Sequence, residues 1–308
     1  MFFVNKKQRF LQEQKHANYL KKQIMRARLL QNQFLKKEKI STPQVCNQDI
    51  IEKNDSTKHD QIIDIYNIIN KSFNTKESYT SVIPLKLYTS WHTKNLPLHM
   101  KANFKLLVDT NPEFDTYIYD DADCREFIEK NFDRDVLFAY DSLIPYAYKA
   151  DLWRLCILFI NGGIYIDIKF KCVNGFKFIA LTENEYFVRD RNPIDTINGF
   201  IVCKPNNNIL CECINKIVEN VKNKHYGMNS LEPTGPHLLG SFFNQEERDD
   251  MELYFDYTLI ENVFSDYYIV YDNTIILSFY KEYREEQLNF QTKPHYSVLW
   301  VNNCIYKE

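Results

Sequence analysis

Residues 147–171 read Ala-Tyr-Lys-Ala-Asp-Leu-Trp-Arg-Leu-Cys-Ile-Leu-Phe-Ile-Asn-Gly-Gly-Ile-Tyr-Ile-Asp-Ile-Lys-Phe-Lys. From 148 to 160 the run is apolar on nearly every side and lacks Gly and Pro, which predicts a buried helix. Lys149, Asp151 and Arg154 are its only charges. Asp151 and Arg154, at i and i+3, fall on one side of the helix, one turn apart. Gly162 and Gly163 stop the helix, because glycine accepts the left-handed conformation of a C-terminal cap. The residues that follow alternate. Ile164, Ile166, Ile168 and Phe170 point one way, and Tyr165, Asp167, Lys169 and Lys171 the other, as in a strand with one polar face. Helix, turn and strand thus deliver Asp151, Arg154 and Asp167 to one place. An ordinary surface pair would need a solvated helix side, and this helix has none, so its charges need each other or a ligand.

Working outward, 84–91 predicts a strand with Pro84 at its mouth, where a missing N–H does no harm. Pro97 opens a helix to about 108, and Asn111-Pro112 makes a turn. A second strand covers 116–119. Asp120 and Asp121 read as caps of a helix to 132 rather than catalytic groups, and another helix covers 134–140. Strands are predicted at 185–188, 199–203 and 298–301, the last closing over a ligand. A helix over 208–222 has a core face of Ile209, Cys213, Ile214, Ile217 and Val221. Residues 232–239 read as a turn entering a helix, and 244–256 as an acidic surface. Strands alternating with helices predict an α/β fold with a mostly parallel sheet and helices on both faces. In such sheets ligands sit beyond the carboxyl ends of strands, where Trp91 and Asp167 would meet.

The net charge of −3 conceals an asymmetry. Residues 1–39 hold 11 Lys and Arg against 2 Glu, a net +9, and the remainder holds 27 against 39, a net −12. Residues 1–40 read as a basic amphipathic helical arm with weak coiled-coil character. That composition suits self-association, an acidic surface, nucleic acid, or nothing beyond solvation. Residues 41–80 read as a polar linker with a short helix at 62–69, and 81–308 as the main domain. The 8 cysteines form no Cys-x-x-Cys pattern, and one lies in the apolar helix, which favours reduced core thiols over a metal or disulfide framework. With no signal-peptide pattern and no apolar run of membrane-spanning length, the expected location is cytoplasmic or peripheral to a membrane.

Several motifs in order carry a resemblance: Ile83 to Trp91, Asn111-Pro-Glu-Phe, Tyr119-Asp-Asp-Ala-Asp-Cys, Ala147-Tyr-Lys-Ala-Asp-Leu-Trp-Arg154, Gly162-Gly-Ile-Tyr-Ile-Asp167, Asn198 to Pro205, Thr234-Gly-Pro-His237, and His295 with Trp300. Together they resemble glycosyltransferase family 32, the DXD-motif sugar transferases, over about 81–308. The resemblance implies a GT-A type, Rossmann-like fold and transfer, with retention, of a hexose from a GDP- or UDP-sugar. The implied acceptor is a glycan, lipid or protein, and the implied cofactor Mn²⁺ or Mg²⁺. It implies that Asp151, Arg154 and Asp167 are catalytic, and that Trp91, Lys149, Gly163, Tyr165, Lys169, Asn198, Thr234, Gly235 and Trp300 bind the donor. Asp167 and His295 would hold the metal.

One departure matters. The second carboxylate of the motif, about 7 Å along a strand from the first, is Lys169 here. Either Lys169 meets the diphosphate as a point charge, or Asp167 and His295, with phosphate oxygens and waters, still hold the metal. The expectation adopted is the metal. The alternative function is a degenerate, non-catalytic sugar-nucleotide-binding or structural protein.

Overall fold

The computed structural model describes residues 71–260, 263–290 and 294–308. The basic arm and the helix at 62–69 lie outside the described residues. Residues 71–256 and 268–308 form one compact unit. Residues 257–267, the outer part of a hairpin, fall outside it, and there the Tyr257 and Tyr267 rings pair at 6.1 Å.

Strand β1 (Lys86–Ser90) is followed by α1 (Leu98–Thr110) and β2 (Asp115–Tyr119). Three helices come next: α2 (Asp121–Asn131), α3 (Arg134–Ser142) and α4 (Tyr146–Asn161). Strands β3 (Gly163–Ile166) and β4 (Phe170–Cys172) lead to a 3₁₀ turn over Phe178–Leu181, then β5 (Tyr186–Arg189) and β6 (Thr196–Cys203). Helices α5 (Asn208–Lys222), α6 (Pro236–Gly240) and α7 (Gln245–Asp249) precede strands β7 (Leu253–Ile260), β8 (Val263–Tyr271) and β9 (Thr274–Phe279). Helices α8 (Tyr283–Phe290) and α9 (Tyr296–Val301) end the chain.

The strands join in the order β2-β1-β3-β6-β5-β7-β8-β9-β4. The α/β class and helices on both faces agree with the sequence. The sheet itself is mixed rather than mostly parallel. β2, β1 and β3 run parallel, joined by helical crossovers, whereas β6 pairs antiparallel with both β3 and β5. The reason is local. β5 and β6 are joined by a short loop and β8 and β9 by Asp272-Asn273, and both of those residues have positive φ, the hairpin-turn conformation. Short loops can only return a strand antiparallel.

Alternation along the strands fills two cores. Tyr88, Tyr165, Ile201 and Cys203 pack with α2 to α5, while Leu87, Ile164, Ile166, Phe200 and Val202 pack with Leu107 of α1 and the 3₁₀ turn. Both sides of β3 are therefore buried, and the polar strand face expected there is covered by α4, with Tyr165 over 98% buried. Residues 298–301 are helical, in α9, instead of a strand. The Asp120 reading holds: its side chain accepts from the Ala122 and Asp123 amides, and Asp123 returns a bond to the Asp120 amide.

The Gly162-Gly163 pair locks α4 to the sheet. Gly162 has φ +61, and its N–H donates to the Leu158 carbonyl, ending the helix. Gly163 has φ +108, and a Cβ there would lie 2.5 Å from the Lys86 carbonyl oxygen of β1. Among the described residues no helix is long and apolar enough to cross a membrane.

Candidate active site

Helix α4 is buried almost throughout, and Asp151 and Arg154 are only 7% and 5% exposed. They satisfy one another and their neighbours. Arg154 Nη2 lies 3.3 Å from Asp151 Oδ1, and Nη1 donates to the Asn198 carbonyl at 2.7 Å. Asn198 sits near the start of β6 and bridges the pair, donating from Nδ2 to Asp151 Oδ1 at 2.9 Å. The Thr234 hydroxyl donates to Asp151 Oδ2 at 2.8 Å. Arg154 also lies over the Tyr165 ring, 4.5 Å from its centroid, and reaches Asp167 Oδ1 at 3.3 Å.

Asp167 directly follows β3, whose parallel neighbour β1 ends at Ser90 and Trp91, so both meet beyond the carboxyl ends of those strands. Its Oδ1 accepts from the Tyr165 hydroxyl at 2.8 Å and its Oδ2 from Lys169 Nζ at 2.5 Å. Residues 167–169 form a turn rather than a strand continuation. The turn folds Lys169 back onto the carboxylate instead of leaving the two a strand repeat apart.

Burial separates the two acids. It pushes the Asp151 carboxyl up to about 6, outweighing Arg154 and the Thr234 and Asn198 hydrogen bonds. At Asp167 burial acts the same way, but Lys169 and Arg154, with the hydrogen bonds from Lys169 and Tyr165, overcome it and hold the carboxyl below its ordinary value. His295 is lowered by burial and by Arg284.

A cavity of about 460 Å³ opens onto this cluster. Of the residues singled out from sequence, Asp151, Arg154, Asp167, Trp91, Tyr165, Lys169, Asn198, Gly235 and His295 line it. Thr234 stands behind Asp151, and the other three, Lys149, Gly163 and Trp300, are placed elsewhere. Lys149 turns away, its Nζ 4.4 Å from the Tyr140 ring centroid. Gly163 lies at the opposite end of β3, where it lets β1 approach. Trp300 faces the core and donates its indole N–H to the Tyr226 carbonyl at 2.6 Å. Trp91 packs near Met100 and Tyr283 and also forms the cavity wall, with a buried indole N–H that has no partner among the described residues.

Sequence reading missed a second aromatic shelf. His92 stacks on Tyr146 at 5.6 Å and 17° and lies 4.8 Å from Trp91. It also missed α8, which supplies Tyr283, Arg284 and Gln287 to the opposite wall. The Trp-His neighbours and Tyr146 at the first turn of α4 were signals available in the chain. Helix α8 had none, since its residues show no apolar period.

The metal expectation does not fit this donor set. Asp167 already has a cation on each carboxylate oxygen, and His295 is the N-cap of α9, its Nδ1 2.8 Å from the Ser297 hydroxyl. No cluster of three or more His, Cys, Asp or Glu suited to a metal occurs among the described residues.

Residues 48–187 match a family described as "Glycosyltransferase sugar-binding region containing DXD motif". An uncharacterized glycosyltransferase of Acanthamoeba polyphaga mimivirus is 29% identical over 135 residues, 41% of this chain and 51% of the relative. Inositol phosphoceramide mannosyltransferase 3 of Schizosaccharomyces pombe is 25% identical over 161 residues, 52% of this chain and 44% of the relative. The initiation-specific alpha-1,6-mannosyltransferase of Candida albicans is 31% identical over 91 residues, 28% of this chain and 24% of the relative. The chain thus spans about half the length, or less, of these curated relatives. The match extends ahead of residue 81 and contains α4, its glycine turn and Asp167, so the core of the candidate site lies within the stretch that is similar to glycosyltransferase sugar-binding regions containing a DXD motif.

Proposed function

We propose that the chain is a retaining glycosyltransferase that moves a hexose from a GDP- or UDP-sugar to a hydroxyl of a glycan, lipid or protein. The observation that carries this is the buried Asp151–Arg154–Asn198 network at the end of a cavity large enough for a sugar nucleotide. Asp151 accepts from sugar hydroxyls and Arg154 donates to them, which orients the anomeric carbon. Trp91, His92 and Tyr146 offer flat faces to the base. Arg154 and Lys169 face the diphosphate.

In the reaction, the bond from the anomeric carbon to the diphosphate oxygen breaks, and its electron pair stays on the nucleoside diphosphate. The acceptor oxygen bonds to that carbon on the same face, and the acceptor proton passes to the departing diphosphate. So good a leaving group needs no strong general acid, in keeping with a site built from ion pairs. Residues 81–308 are proposed as the transferase domain. The charge of residues 1–39 suits an acidic surface, such as a membrane face, or self-association.

The test is a panel of GDP- and UDP-hexoses, followed by release of the free nucleotide with and without acceptor. Wild type releases one of them, and Asp151→Asn slows that release by about 10²–10³-fold. A chain that releases neither nucleotide from any donor is not a transferase.

A further inference from the structure

Position 169 carries an ammonium where the DXD pattern has its second carboxylate. Lys169 Nζ lies 2.5 Å from Asp167 Oδ2 and Arg154 Nη1 lies 3.3 Å from Asp167 Oδ1, so neither oxygen of the remaining carboxylate is open. The backbone closes in as well: a Cβ on Gly199 would lie 2.5 Å from Asp167 Oδ2. A divalent ion would have to expel the ammonium and settle beside a guanidinium, with Asp167 the one carboxylate of the motif left to hold it beside the diphosphate oxygens.

Charge balance points the other way. One carboxylate and one divalent ion together carry a single positive charge, and so does one ammonium. Lys169 therefore leaves the electrostatics at this end of the cavity as the carboxylate–metal pair would have set them. The side chain is also held for the task. Its Nζ sits 5.4 and 5.2 Å from the Phe170 and Phe279 ring centroids, its carbonyl accepts from the Tyr280 amide at 3.0 Å, and the side chain stays 23% exposed toward the cavity.

We propose that Lys169 takes the place of the divalent ion, so that the donor diphosphate is bound and activated by Lys169 and Arg154 without a metal. The proposal rests on the donor being a nucleoside-diphosphate sugar. When the glycosidic bond breaks, the retained electron pair adds negative charge to the diphosphate, and a compact ammonium with three donors is suited to meet that charge as it grows.

The test is calorimetric titration of the full chain with UDP and GDP, in EDTA and in Mn²⁺. The nucleotide that binds is expected to bind wild type within about twofold in the two buffers, whereas Lys169→Met weakens it by about tenfold or more. Affinity for the matching nucleoside, which has no phosphate, stays unchanged and shows that the pocket is intact. Lys169→Asp, which rebuilds the two-carboxylate pattern, binds weakly in EDTA and recovers by about tenfold in Mn²⁺. Tenfold tightening of wild type by Mn²⁺ overturns the proposal and leaves the transferase reading standing. Unaltered binding by Lys169→Met, or a Lys169→Asp variant deaf to Mn²⁺, overturns it as well. Failure of both nucleotides to bind in either buffer sinks the transferase reading, and this proposal with it.

Discussion

Asp151, buried, and Asp167, partly buried, both contact one guanidinium, yet their surroundings shift them in opposite directions. Asp151 has one cation and is pushed up to about 6, whereas Asp167 has two and is held low. For Asp151 the folded protein keeps its proton to higher pH than the unfolded chain does. That group therefore removes stability as pH rises from the ordinary value of 3.8 to about 6. Asp167 does the reverse: its contribution is complete above the ordinary carboxylate value and is lost as pH falls through its lowered one. Urea unfolding of Asp151→Asn between pH 4 and 7 is expected to lose the Asp151 part of the slope. In activity, kcat/KM is expected to rise through about pH 6 as Asp151 ionises, and Asp151→Asn to flatten that limb. Arg154→Met leaves the buried Asp151 without a cation and Asp167 with Lys169 alone, and is expected to cost about 3–5 kcal/mol in urea unfolding at pH 7.

At the scale of elements, the site depends on two joints. The first is the glycine turn between α4 and β3. Gly163→Ala combines a positive φ with a Cβ 2.5 Å from the Lys86 carbonyl oxygen, so a loss of about 3 kcal/mol is expected, read as a lowered urea midpoint. The second joint is Glu286 of α8. Helix α1 starts at Pro97 without a side-chain cap of its own, and Glu286 supplies one, accepting from the His99 and Met100 amides at 2.8 and 2.9 Å and from the Tyr280 hydroxyl at 2.9 Å. Glu286→Ala is expected to cost about 1–2 kcal/mol, as loss of a cap does. Because α8 carries Tyr283, Arg284 and Gln287 of the cavity wall, it should also raise KM more than it lowers kcat.

Across the whole molecule, the mixed sheet brings the ends of β1 and β3 and the start of β6 to one mouth, and the C-terminal helices cover the far side. A ligand filling that mouth binds only the folded chain. Saturating UDP or GDP at 100 times its Kd is expected to stabilise the protein by about 2.7 kcal/mol, seen as a shift of several degrees in melting temperature.

Much of this was legible in residues 147–171, since an apolar helix, a Gly-Gly stop and a following carboxylate are local features with local causes. Periodicity placed α4 and β3, composition showed that Asp151 and Arg154 had no solvent to face, and the Asp120 cap was readable from its spacing. What lay outside local sequence was everything set by non-neighbours. The antiparallel return of β6 follows from short hairpins that carry little apolar signal, and α8 is held at the cavity by the Glu286 bonds to α1 and by Tyr283 packing against Met100. The engagement of Asp167 by Lys169 depends on a turn where alternation suggested a strand. Sequence alone determined which charges would be buried. Tertiary structure alone decided which of them share a carboxylate, because that choice is made by strand pairing and by side chains more than 40 residues apart, such as Asp151 and Asn198.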